Sequence, residues 1–102
     1  MYLHNTTFVI ADTAIGWWVN WMQRHYLPTF ADMVPSARNE LYRLEHSAQA
    51  AGSTSYSCQW KCNTLQDLSE VSKYSNALLR NLTAEKGEQC LSFVTLMESV
   101  EI

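Results

Sequence analysis

The side chains with the richest chemistry in this sequence are three cysteines, Cys58, Cys62 and Cys90, and three histidines, His4, His25 and His46. Two cysteines four residues apart invite a metal site, and their surroundings argue against one. Residues 53–62 alternate, with Tyr56, Cys58, Trp60 and Cys62 on one face and Ser57, Gln59 and Lys61 on the other. That is the period of a β-strand. Four strand residues span about 13 Å, whereas two thiolates on one tetrahedral zinc lie within about 4 Å of each other. Cys90 is remote in sequence and no histidine stands at ligand spacing. The expectation is three buried, reduced thiols, with no metal and no cofactor. An odd cysteine count beside an N-terminus that lacks a basic, then apolar, leader pattern points to a reducing, cytoplasmic setting.

His25 follows Trp21 by one helical turn, and it is the histidine best placed to move a proton. General-base duty would need a substrate within hydrogen-bond reach and a group to orient the ring; otherwise His25 is structural, bonded to backbone or solvent. Asn5, Thr7, Gln59 and Thr95 are polar residues within strands. If they face the space between two sheets they could orient a small ligand in an otherwise apolar cavity; otherwise they hydrogen-bond one another across a dimer axis. The candidate ligand residues are therefore Trp21, His25, Asn5, Gln59 and Thr95. His4 and His46 receive no role. Trp18 belongs to a core stripe, while Trp17 points nearly away from it and needs a cover, either a dimer contact or the chain termini. There is no glycine-rich phosphate loop, no defensible Ser–His–Asp set, no HExxH and no glycosidase-like carboxylate pair.

The elements that must position these residues follow from periodicity. Strands are expected near 2–11, 36–46, 53–62 and 89–100, and helices near 13–32 and 64–85. In the first helix Ile15, Trp18, Val19, Met22, Tyr26 and Phe30 share one side at about 100° per residue. Pro28 should kink this helix or begin a separate last turn at 28–33. In the second, Leu68, Val71, Ser72, Ser75, Leu78, Leu79 and Leu82 share an arc, capped by Asn63 or Thr64 and stopped at Gly87. Arg38, Glu40 and Glu45 mark a solvated edge strand that discourages further pairing.

The order βαββαβ predicts a ferredoxin-like α+β fold, a four-stranded antiparallel sheet in the order 4-1-3-2 with two helices on one face. The chain of 102 residues suits one domain, 1–102. Charged residues are only 17%, against about 25% in a typical soluble domain. The first strand has Leu3 and Val9 on one face and Phe8 and Ile10 on the other. The last has Leu91, Phe93 and Met97 opposite Val94, Leu96, Val100 and Ile102. Apolar residues on both faces, with helix enough for one, predict a homodimer.

Ten acidic against seven basic residues give a net charge of −3, with no basic block, which excludes an electrostatic footprint for nucleic acid. The apolar run at residues 8–11 is far too short to span a membrane. The triplets Asn5-Thr6-Thr7 and Asn81-Leu82-Thr83 would matter only in a secreted chain.

Certain stretches resemble an uncharacterised bacterial family, labelled a domain of unknown function, in the dimeric α/β-barrel superfamily. They are Ile10-Ala11-Asp12, Trp18-Val19-Asn20-Trp21-Met22 with His25 and Pro28, and Ser36-Ala37-Arg38. To these are added Ser55-Tyr56-Ser57-Cys58-Gln59-Trp60, Leu79-Arg80 and Phe93-Val94-Thr95-Leu96-Met97. The resemblance implies a symmetric dimer with two sheets facing each other, and it implies no activity. Related proteins of that superfamily include cofactor-independent monooxygenases, small isomerases and plain ligand binders. Three readings stay open: a module binding a small apolar or aromatic molecule between the sheet and the first helix; a cofactor-independent enzyme using His25; and a structural or assembly module.

Overall fold

A stretch rich in β-branched and aromatic residues builds the central strand β1 (Tyr2–Ala11), along which burial alternates. A computed structural model describes residues 1–45 and 51–102. In it β1 is flanked on one side by β3 (Ser53–Cys62) and on the other by β4 (Cys90–Glu98), while β2 (Arg38–Arg43) pairs with β3. All pairs are antiparallel and the sheet order is β2-β3-β1-β4. This is the α+β, ferredoxin-like arrangement read from the sequence. Two of its strands are shorter than expected. Ala37 N–H donates to the Val34 carbonyl at 3.1 Å, so a turn holds the residues before β2. β4 ends at Glu98 because its ladder partner β1 begins at Tyr2, directly opposite. His46, at the far end of the expected second strand, lies outside the described residues.

The first helical rod, residues 12–33, is built from four pieces: a 3-10 turn Asp12–Ala14, α1 (Ile15–Trp21), a π-turn Met22–Tyr26, and α2 (Leu27–Met33). Pro28 explains the wide turn. It has no N–H for the carbonyl of Arg24, so the ladder shifts. Leu27 N–H instead reaches five residues back to the Met22 carbonyl, and the Thr29 hydroxyl donates to the His25 carbonyl at 2.7 Å. The break expected at Pro28 is thus a bulge in a continuous rod.

The bulge also resets which side of the rod is buried. A core stripe extrapolated at a uniform 3.6-residue period drifts round the helix, and the wide turn cancels that drift. Tyr26 and Phe30 therefore stay in line with Trp18 and Met22, and the inward side of α1 rotates toward Trp21. Val19, expected in the stripe, is 40% exposed, and Trp21, not among the residues of that stripe, is buried.

The second rod, α3 (Leu65–Lys86), starts where Thr64 Oγ1 accepts the Asp67 N–H at 3.1 Å. Ser36 Oγ donates to the Asp67 carboxylate at 2.8 Å, tying the cap to the turn before β2. Gly87 ends the helix at φ 53°, a left-handed conformation that favours glycine. Val71, Ser75, Leu79 and Leu82 turn inward.

Both rods lie against one face of the sheet. That face presents Phe8 and Ile10 from β1, Cys58, Trp60 and Cys62 from β3, and Cys90 from β4. An aromatic cluster fills the middle: Phe8 sits 5.2 Å from Trp18 and 5.9 Å from Tyr26, and Phe30 lies 4.5 Å from Trp60, centroid to centroid. No helix among the described residues is long and apolar enough to cross a membrane.

Candidate functional site

A recess of about 650 Å³ opens between the first rod and α3. The rod supplies Trp17, Asn20, Trp21, Arg24, His25, Pro28, Thr29 and Asp32, and α3 supplies Leu78, Asn81, Ala84 and Glu85. The π-turn places Arg24 and His25 at its rim, and the Thr29–His25 hydrogen bond fixes the backbone there. Trp17 and Trp21 form one aromatic wall, their rings nearly parallel at 13° and 6.4 Å apart. The Lys86 ammonium lies 4.6 Å from the centre of the Trp17 ring, a cation–π contact that ties the end of α3 to the first rod. Trp17 is thus covered by the second helix of its own chain, where the sequence suggested a partner or the termini.

The other side of the sheet carries no helix. Asn5 faces Gln59 on β3 and Thr95 on β4 in the ladder, so these three candidates stand in one row. Asn5 and Gln59 bond to other polar side chains of the same face rather than to each other. Ser57 Oγ donates to Asn5 Oδ1 at 2.6 Å, Asn5 Nδ2 donates to Thr7 Oγ1 at 3.2 Å, and Gln59 Nε2 reaches Ser57 Oγ at 3.4 Å. Glu40 accepts from both Lys61 and Tyr42 beside this row, and the Lys61 and Tyr42 bonds hold its carboxyl below the usual range. Apolar side chains lie on one side of the polar row, Leu3 and Val9 on β1 and Leu91, Phe93 and Met97 on β4, while the β3–β2 side of the face carries Ser57, Lys61 and Glu40. The five sequence candidates therefore divide. Trp21 and His25 meet in the helical recess; Asn5, Gln59 and Thr95 meet on the open sheet face.

The profile described as "Domain of unknown function (DUF4286)" matches residues 1–100. The chain belongs to that family. The crystal structure of HapK from Hahella chejuensis has a similar fold, with a TM-score of 0.63 over 98% of this chain and 93% of that one, at 16% identity. Likeness at that identity is one of architecture and carries no chemistry. No curated protein matches the sequence.

This DUF4286 chain also buries a polar set that the sequence reading passed over. His4 and Thr6 share the helix-side face of β1 with Phe8 and Ile10 and are fully buried. Neither His4 ring nitrogen, nor the Ser75 hydroxyl, has a hydrogen-bond partner among the described residues. The Tyr26 phenol accepts from Trp60 Nε1 at 3.2 Å, and burial raises its pKa far above that of a free phenol. Burial likewise pushes the Cys58 thiol up to about 11, although Asn39 Nδ2 donates to its sulfur at 3.2 Å. Cys62 and Cys90 are also raised, chiefly by burial. All three thiols are free, buried and held protonated at neutral pH, the opposite of the thiolate that nucleophilic or metal chemistry requires. The signal for this set was in the sequence, as two polar residues in phase with two large apolar ones on one strand.

Proposed function

We propose that this protein is a homodimeric binding module whose ligand is a small apolar or aromatic molecule. The ligand lies in the recess between the helices, stacked on the Trp17–Trp21 wall with His25 at the rim. One observation carries the reading: the recess sets a paired indole wall, a surface on which an aromatic ring can stack, among polar and charged rim groups able to orient it. The space between the sheet and the first rod, considered first from sequence, is filled by Trp18, Tyr26, Phe30 and Trp60. The enzymatic alternative of the monooxygenase or isomerase type has less support. Among the described residues no side chain hydrogen-bonds the His25 ring, so nothing orients it as a base.

Titration with 8-anilinonaphthalene-1-sulfonate, read by its own emission and by quenching of tryptophan, tests the site. Saturable one-to-one binding is expected, weakened at least tenfold by Ala84→Trp, which fills the recess from an exposed position on α3. Unsaturable binding, or affinity unchanged by Ala84→Trp, would overturn the reading.

The homodimer forms by apposition of the open sheet faces, supported by the apolar patch of Leu3, Val9, Leu91, Phe93 and Met97 on the β1–β4 half of that face and by a chain poor in charge. Val9→Lys, central to that face, is expected to lower the particle mass seen by light scattering at micromolar concentration. An unmodified protein that scatters as a single chain would defeat this part and leave the ligand site standing. Free, protonated thiols support a cytoplasmic location for this single-domain module.

A further inference from the structure

The two edges of the sheet are built in opposite ways. β2, one edge, carries Arg38, Glu40 and Arg43 within six residues, and Lys61 on its neighbour adds an ion pair to Glu40. Charges of this kind keep an edge from accepting another strand. β4, the other edge, has none of these defences. Cys90–Glu98 contains no proline and no glycine, runs in unbroken register with β1, and bears one charge, at its last residue. Its apolar side chains are exposed on both faces: Phe93 at 57% on the open face, Val94 at 43% and Leu96 at 53% on the helix face. Neither helical rod covers Val94 and Leu96. Apposed sheet faces would not cover them either, because both side chains point to the other side.

The strand is also complementary to itself. An antiparallel copy centred on Val94 sets Leu91 against Met97 and Phe93 against Thr95 on the open face. On the helix face it sets Ser92 against Leu96 and Val94 against Val94. Each is an apolar, aromatic–β-branched or small–large pair of the kind that stabilises neighbouring strands. The two Glu98 carboxylates fall at opposite ends of the ladder, each across from Cys90 of the other copy, so no like charges meet.

We propose that β4 pairs with β4 of a second copy about a two-fold axis at Val94, joining two four-stranded sheets into one of eight strands. This contact is separate from the apposed sheet faces, so the two together join the proposed homodimers in pairs, as tetramers, and it satisfies the unpaired backbone groups of the edge as well as covering Val94 and Leu96.

Directly opposed residues of antiparallel strands have Cα atoms about 4.5–5.5 Å apart, within the range of about 4.4–6.8 Å that a disulfide needs. Val94→Cys is therefore expected to form an intermolecular disulfide in nearly all chains under oxidised glutathione. Leu96→Cys, whose two copies would lie about 13 Å apart along the strands, is expected to remain a thiol. The native cysteines, all buried, give a low background in the unmodified protein. Val94→Lys puts two ammonium groups face to face on the axis. It is expected to halve the mass measured by light scattering while the circular dichroism spectrum stays that of the folded chain. Because Val94 is absent from the open face, this variant leaves apposed sheet faces intact, whereas Val9→Lys does the reverse. No disulfide at Val94→Cys, or equal crosslinking at Leu96→Cys, would overturn the pairing.

Discussion

Phe8→Ala is expected to destabilise the fold by about 3–5 kcal/mol, the range for removing a buried aromatic side chain and leaving a cavity. Phe8 lies on the central strand and is wholly shielded from solvent. Its ring makes a tilted contact with Trp18 and an edge contact with Tyr26. It is therefore the point where the first rod is fastened to the sheet. Closely packed rings of this size cannot collapse into the space left behind, so the cavity cost adds to the lost transfer energy. Whole domains are stable by only about 5–15 kcal/mol, so the loss is a large share of the total. Urea unfolding followed by circular dichroism checks it, through a lower midpoint at an unchanged slope. Leu41→Ala serves as the control. Leu41 is exposed on the edge strand, and its loss should stay within about 0.5 kcal/mol. A Phe8→Ala variant as stable as that control would mean that the aromatic cluster is not what holds helix to sheet.

The architecture was legible because each element announces its own period. β3 alternates over its whole length, α3 keeps an apolar arc with a threonine cap, and the order βαββαβ leaves few ways to connect them. What could not be read is how elements are phased against one another. Val19 and Trp21 exchanged places because a π-turn is a local answer to Pro28, and its effect on helix phase appears only once the rod is packed. Asn5 and His25 were both candidate ligand residues, and which face of the sheet Asn5 takes was open. Only the strand register shows that Asn5 points away from the helices. Trp17 is covered by Lys86, 69 positions later in the chain, a contact no local pattern contains. His4 and Thr6 were visible as polar residues in phase with Phe8 and Ile10. Their significance depends on knowing that this phase is the buried one.

That buried phase leads to the expectation that the protein loses stability on mild acidification through His4. Desolvation lowers the His4 pKa from 6.5, and the contact of the ring with its own backbone offsets this only in part. A histidine whose folded pKa is depressed binds its proton more readily in the unfolded chain. Above about pH 6.5 both states leave it neutral and it contributes no pH dependence. Below that value the unfolded chain takes up a proton that the folded chain refuses, so stability falls as pH falls, until the folded pKa is reached. The slope can approach about 1.4 kcal/mol per pH unit for one proton. No carboxylate faces His4 from the neighbouring strands, where Trp60 and Leu96 are its ladder partners. The buried Tyr26 and Cys58 in the same layer remain neutral throughout the range. Glu40, whose pKa is lowered by Lys61 and Tyr42, acts only in a more acidic window, as pH drops below 4.5. The His4 contribution therefore falls between pH 6.5 and 5, apart from the window of Glu40. His4→Leu removes two ring nitrogens that have no partner among the described residues, each of a kind that costs about 1–3 kcal/mol when buried and unpaired. The variant is expected to be at least as stable as the parent at pH 7.5, clearly more stable at pH 5, and nearly flat between the two. Denaturant midpoints measured across that range decide the matter: a parent protein that shows no decline, or a decline that persists in His4→Leu, would place the acid sensitivity elsewhere.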